Sequence, residues 1–217
     1  MADQENAPSF DRDAFREVVK HPGAHALVLS QYRIGEYAGV VALDRLLGEL
    51  DQSAKLRRAM EIHLADEDRH TRVFSDWMQR LGTPPPTLPT DVEAYFSTSR
   101  EEYEMQRAVL EQLTPEQRRI LVFAGINAVE RLAFDQFENH LLCLDRREDV
   151  DALKQVMKEE RFHLNYVEAE LDRQVTGEQA AFAGVALEQA RERFAAFNAM
   201  RRAETASALE QLLGGTS

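Results

Sequence analysis

The sequence contains a single cysteine, Cys143, which excludes a disulfide framework and a thiolate metal site. Proline is confined to positions 8, 22, 84, 85, 86, 89 and 115, so 23–83 and 116–217 are free of the strongest helix breaker. Long apolar runs are missing too. The longest, ILVFAGINAV at 120–129, is far too short to span a bilayer. The opening residues, MADQENAPSF, lack the apolar stretch of a signal peptide. Basic residues are outnumbered 26 to 38, giving a net charge of −12 with no basic cluster. Such a chain repels phosphate backbones, which argues against a nucleic-acid partner. The expectation is a soluble, cytoplasmic protein with neither nucleic-acid nor membrane partners. At 217 residues it suits one domain with a sizeable core.

The two proline-free windows are rich in Ala, Leu, Glu, Arg and Gln, the good helix formers. No convincing strand-like alternation interrupts them, so the fold class is all-α. Punctuation predicts a short helix over about 10–20, then long helices over about 25–50 and 53–81, with Gly82 as the stop. TPPPTLPT (83–90) is a stiff connector. Thr90 and Glu93 form a capping-box pattern that opens a helix over about 91–111. Thr114, Pro115 and Gln117 repeat the signal and open a helix reaching about Leu142. After DRREDV (145–150) a helix runs to about 174, and a last one fills about 178–213.

The four long helices from 25 to 174 carry apolar stripes at three- and four-residue spacing. The first stripe reads Leu29, Tyr32, Glu36, Val40, Leu43. The second reads Leu56, Met60, His63, Glu67, His70, Phe74, Trp77, Leu81. The third is Phe123, Asn127, Glu130, Phe134, Phe137, Leu141. The fourth is Leu153, Met157, Glu160, Leu164, Val167, Leu171, with His163 beside it. Each stripe is apolar at its ends and carries carboxylate or imidazole in the middle. Four such helices, paired in chain order, make a bundle with a polar waist.

One constellation occurs twice at that waist. Glu36 is followed 31 residues later by Glu67 and three further on by His70. Glu130 is followed 30 residues later by Glu160 and three further on by His163. Residues i and i+3 share a helix face, so each Glu-x-x-His pair aims at one point. A buried, unpaired carboxylate costs several kcal/mol. Four of them would cancel a typical stability of about 5–15 kcal/mol. Two divalent cations would neutralise the four charges, and oxygen-rich ligation with one imidazole per metal favours iron or manganese over zinc. The expected ligands are Glu36, Glu67 and His70 for one metal and Glu130, Glu160 and His163 for the other, with two glutamates bridging.

This pattern resembles the ferritin-like di-iron and di-manganese carboxylate superfamily, in which two helices give one Glu each and two others give Glu-x-x-His. The resemblance covers about 25–174. It implies a ferritin-like four-helix bundle with extra crossover and C-terminal helices. Asp66-Glu67-Asp68-Arg69-His70 fits the Asp-Glu-x-Arg-His variant of the oxygen-activating branch. On that basis Asp66 accepts the outer N–H of His163, Arg69 balances Asp66, and Glu159 faces His70, while Phe162 stands where the second half would carry its arginine. Asp68 is solvated. HLNY (163–166) is similar to the cyanobacterial aldehyde-deformylating oxygenases, whose Glu-to-Glu spacings are shorter.

Other polar residues on the stripes have two readings. His63, one turn before Glu67, is read as a pocket or core histidine. Its alternative is an extra ligand of the kind arylamine N-oxygenases carry. Tyr32, one turn before Glu36, is read as a packing tyrosine, with a redox-active role beside the metals as the alternative. Gly35, Ala38, Gly39, Ala124 and Gly125 leave room for substrate or for close helix packing. His21, His25 and His140 have no partner at useful spacing, and Cys143 is a small buried hydrophobe.

The resemblance implies a non-haem di-iron oxidase or monooxygenase. Its cofactor would be two Fe ions (or Mn), with O2 as co-substrate and a small apolar organic substrate. A monooxygenase would need an external electron donor, and a homodimer is compatible with the extra helices. The alternatives are an iron-handling ferroxidase or storage shell and a di-manganese catalase. A tRNA hydroxylase of the same superfamily fits the charge least.

Overall fold

The computed structural model describes residues 11–49, 52–88, 111–174 and 179–214, and among them the chain is all helix and loop, without strands. Six helices pack together: α1 (Arg12–Lys20), α2 (Pro22–Glu49), α3 (Ala54–Leu81), α4 (Pro115–Leu141), α5 (Arg147–Gln174) and α6 (Ala180–Gly214). The helix expected over 91–111 lies outside the described residues except at its last position, as do the capping residues Thr90 and Glu93.

Local chemistry sets the helix ends. Asp11 caps α1 by accepting from the N–H groups of Asp13 and Ala14, and Ser53 caps α3 by accepting from Leu56. Thr114 and Gln117 close a reciprocal capping box on α4, with Pro115 in the first turn, where a missing N–H costs nothing. Gly82 ends α3 at φ 68, in the left-handed region that a side chain disfavours. Pro22 starts α2 three residues before the expected His25 and Arg147 starts α5 three before 150, because the first helical turn tolerates the proline and the charged residues that looked like turn.

Two apolar clusters lie at opposite ends of the assembly. One joins Leu43, Leu56, Met60, Ile120, Phe123, Val167 and Leu171, with Ala183, Ala186 and Ala190 of α6 against it. The other joins Val28, Leu29, Tyr32, Phe74, Trp77, Phe137, Leu153 and Val156, with Val18 of α1. The start of α2, the end of α3, the end of α4 and the start of α5 thus meet at one end. α2 and α3 are therefore antiparallel, as are α4 and α5, while α3 and α4 are parallel. The end of α3 and the start of α4 therefore lie at opposite ends, about 40 Å apart for helices of this length. α6 lies along α4, and Arg201 ties it to α2 by binding the side-chain and backbone oxygens of Gln31.

The apolar stripes are largely as the periodicity predicts. Leu56, Met60, His63, Glu67, His70, Phe74 and Trp77 are all buried on α3. Six stripe positions are only partly buried: Leu81, Leu141 and Leu164, and the three that follow. Val40 lines an open groove of about 450 Å³ along the solvent edge of the α2–α3 seam, with Tyr37, Val41, Asp44, Leu64 and Ala65. On α5, Val156 is buried in place of Met157. Phe134 stays partly exposed, with the Arg161 guanidinium over its ring. A straight α-helix does not keep strictly to three- and four-residue steps, so not every member of a stripe stays on the core face.

Phe74 stands one turn after His70, fully buried between Tyr32 and Phe137. Phe74→Ala should cost about 3–5 kcal/mol in urea unfolding. A loss under about 1 kcal/mol would mean that this end of the core collapses to refill the space.

Candidate metal centre

Between the two apolar clusters the stripes change character. α2 supplies Glu36, α3 supplies His63, Glu67 and His70, α4 supplies Glu130, and α5 supplies Glu160 and His163. The four glutamates are only 1–6% exposed, and His63, His70 and His163 are sealed as fully. Their ligand atoms form two groups, each lying within 4.8 Å of one another: Glu36, Glu67, His70, Glu160 and His63, Glu67, Glu130, His163. The two groups share Glu67.

Glu160 also spans the pair. Its Oε1 lies 3.1 Å from His70 Nδ1, and its Oε2 lies 3.1 Å from His163 Nδ1. Glu67 Oε1 is 3.0 Å from His63 Nε2 and 3.6 Å from His163 Nδ1. The two carboxylates positioned between the groups are therefore the Glu-x-x-His glutamates, one from α3 and one from α5. Glu160 lies with Glu36, Glu67 and His70 in one group while its Oε2 also reaches His163, its expected partner. Helix spacing fixes which face a residue lies on but not which of two neighbouring groups its flexible carboxylate reaches.

Each histidine points one ring nitrogen into the carboxylates and gives the other to an outer partner. His70 Nε2 lies 2.9 Å from Glu159 Oε2, and His163 Nε2 lies 3.3 Å from Asp66 Oδ2. His63 Nδ1 lies 2.7 Å from the Tyr166 hydroxyl. Asp66 on α3 thus orients the histidine of α5, and Glu159 on α5 orients the histidine of α3. Arg69 clasps both carboxylates, with Nη2 2.6 Å from Asp66 Oδ1 and 2.6 Å from Glu159 Oε2. One guanidinium serves both halves, so α5 needs no arginine of its own, and Phe162 at the matching place is left partly exposed. The Arg69–Glu159 link has no signal in the sequence, because it joins residues 90 apart on different helices.

His63 belongs to the carboxylate cluster rather than to a separate core pocket. Its Nε2 is 3.0 Å from both Glu67 and Glu130, and its ring stacks on His163 at 3.6 Å. The one-turn spacing to Glu67 was the available signal; the contact to Glu130 on α4 was not legible. Tyr32 does not join the cluster. It packs against Phe74, Phe137 and His140, and burial pushes its phenol up. His25 and His140, 115 residues apart, do have partners after all: their Nε2 atoms face each other at 3.0 Å beside Trp77. His21 Nδ1 accepts from the Ala24 N–H. Asp68 is exposed and pairs with Arg72, and Cys143 is buried.

The electrostatics test whether a cation fits. Burial and the charges of Glu36, Glu160 and Glu130 push the Glu67 carboxyl well above the usual range. Burial, then Glu130 and Glu36, raise Glu160 to about 8. Burial opposes charge on His70, yet Glu159, Glu160 and Glu36 raise it to about 11. Asp66, Glu130 and Glu160 do the same for His163, again to about 11. Protons stand where the cluster needs positive charge. Glu160 Oε1 is buried, and His70 Nδ1, 3.1 Å away, makes no well-directed hydrogen bond to it. A cation placed among these oxygens and imidazole nitrogens would replace the protons and use that free acceptor.

The structure defines an all-helical protein whose buried glutamate–histidine cluster could hold metal ions. No family model, curated protein sequence or solved structure matches the chain. Among the described residues no helix is long and apolar enough to cross a membrane.

Histidines raised to about 11 keep their protons at neutral pH, so a ligating metal must displace them. Metal uptake should therefore release protons, and apparent affinity should rise between about pH 6 and pH 8. Competition against a chromophoric chelator at several pH values measures this; a flat profile would place the metal elsewhere. Asp66→Asn removes the charge that orients His163 and should weaken metal binding by about 10–100-fold. Unchanged affinity in the same titration would show that Arg69 and Glu159 suffice without Asp66.

Proposed function

We propose that this protein is a ferritin-like di-metal oxidoreductase, in which α2–α5 form the four-helix bundle and Glu36, Glu67, His70, Glu130, Glu160 and His163 hold two iron ions. The observation that carries this reading is the pair of ligand groups sharing Glu67 across the waist. A donor set of carboxylate oxygen and imidazole nitrogen, without sulfur, suits iron or manganese. When bound, a reduced metal pair of this kind supplies electrons to O2, which serves as co-substrate for oxidation of a small apolar organic molecule.

The chain's own residues have three tasks in this reading. Glu67 and Glu160, which lie between the two ligand groups, would help to hold both ions. Asp66, Glu159 and Arg69 lock the rings of His70 and His163, so each imidazole meets its metal in one tautomer and orientation. The apolar clusters above and below keep bulk water from the carboxylates. Phe162 and Tyr166 pack beside His163 on α5 and add to that screen. An external donor would return electrons to the metals in a monooxygenase cycle.

Anaerobic loading with Fe(II), elemental analysis and size-exclusion chromatography test the proposal, followed by O2 exposure with optical detection. The expected result is a small oligomer that saturates at about two irons per chain and oxidises them with O2. Added organic compounds of the substrate's class should then change the decay of the oxidised species. A large cage that mineralises iron far beyond that stoichiometry would replace the oxygenase with a storage protein. Peroxide disproportionation by the manganese form, with no reaction of the iron form toward O2, would make it a catalase. Failure to bind metal at the cluster would end all three readings.

A further inference from the structure

Gly39 lies on α2, three residues after Glu36, and faces Glu67 across the α2–α3 interface. A methyl group built at this position would sit 2.6 Å from Glu67 Oε2, 3.1 Å from its Cδ and 3.3 Å from its Cγ. The first distance is inside any real carbon–oxygen contact, and the other two are tight. Glu67 therefore occupies the space that every residue other than glycine would fill. The glutamate has little room to withdraw. It is 4% exposed, and on its far side Oε1 is already 3.0 Å from His63 and 3.6 Å from His163.

The two oxygens have different neighbours. Oε1 is committed to the His63, Glu130 and His163 side. Glu67 also belongs to the group of Glu36, His70 and Glu160, and Oε2, the oxygen against Gly39, is the one free to serve it. Pushing the carboxylate away from α2 would move Oε2 out of that group while pressing Oε1 further into the other. Helix preference gives no reason for glycine here, since glycine inside a helix is less favourable than alanine. Gly35, on the same helix, is the internal contrast: a methyl group there would meet nothing within 4 Å.

We infer that Gly39 is a positioning residue for metal binding: its missing side chain seats Glu67 so that one carboxylate can serve both metal positions, and filling the space leaves only the His63–Glu67–Glu130–His163 position intact. This rests on the di-metal reading above, and the test separates the two. Mn(II) alone is titrated into wild type, Gly39→Ala and Gly35→Ala, with bound metal counted by equilibrium dialysis and the spin state read by electron paramagnetic resonance. Adjacent manganese ions couple magnetically, whereas an isolated bound ion keeps its own hyperfine pattern.

Wild type and Gly35→Ala should each take up about two coupled ions. Gly39→Ala should keep one, with the isolated-ion spectrum, and bind the second about 10–100-fold more weakly. The pair Glu67→Asp and Gly39→Ala/Glu67→Asp closes a double-mutant cycle, because the shorter carboxylate vacates the space beside α2. In the Glu67→Asp background the alanine should add no further loss of metal. Circular dichroism of the metal-free proteins checks that each variant is helical. Should Gly39→Ala fail to fold, the clash predicts that the double variant folds again. Two coupled ions in Gly39→Ala at wild-type affinity, an equal loss in Gly35→Ala, or a full further loss in the double variant would each overturn the role of Gly39. No metal bound to wild type would instead overturn the di-metal reading itself.

Discussion

Four carboxylates buried at one level of a helical assembly repel one another, and everything around them answers that repulsion. Glu36, Glu67, Glu130 and Glu160 come from four different helices, so the charge problem is also a packing problem. Without a cation, the buried charges favour the protonated forms of Glu67, Glu160, His70 and His163. A cation at this level would take the place of those protons and tie all four helices together. The apolar clusters at either end supply the stability that such a waist subtracts.

A cross-brace outside the cluster fixes its geometry. Asp66 and Glu159 each orient a histidine on the opposite helix, and Arg69 joins them. The brace is made of half-buried charged groups that remain ionised: His163 and Arg69 hold the Asp66 carboxyl down at about 2 although burial works against it. The inner carboxylates repel and the outer ones attract. Charge is thus arranged in shells of alternating sign, with imidazole as the layer between. Tyr166 completes the pattern for His63 with a neutral hydroxyl in place of a carboxylate. The two ligand groups are accordingly unequal: one has a single imidazole and the other has two.

Much of this was legible in the sequence. The proline-free windows, the capping signal at Thr114 and the stop at Gly82 placed the helices within a few residues. The doubled spacing of Glu, Glu and His placed six residues at one level, because helical rise is fixed at about 1.5 Å per residue. The faces of the second and fourth stripes were readable because a core-facing position accepts charge only for a reason. Asp66 and Glu159 were readable by their angle, about 100° from the glutamate that follows each of them.

By itself the sequence determined helix positions, helix faces and the level of the polar waist, since all three follow from local backbone geometry and from the cost of burying charge. The tertiary structure decided which groups touch. It drew His63 into the cluster through Glu130, gave Arg69 a second carboxylate on another helix, and paired His25 with His140. It also showed that Gly39 faces Glu67, whereas Gly35, four residues earlier, faces open space. Contacts between helices depend on axial rotation and separation to within an ångström, and the packing of the whole side-chain set determines those, with no trace in the spacing along any one helix.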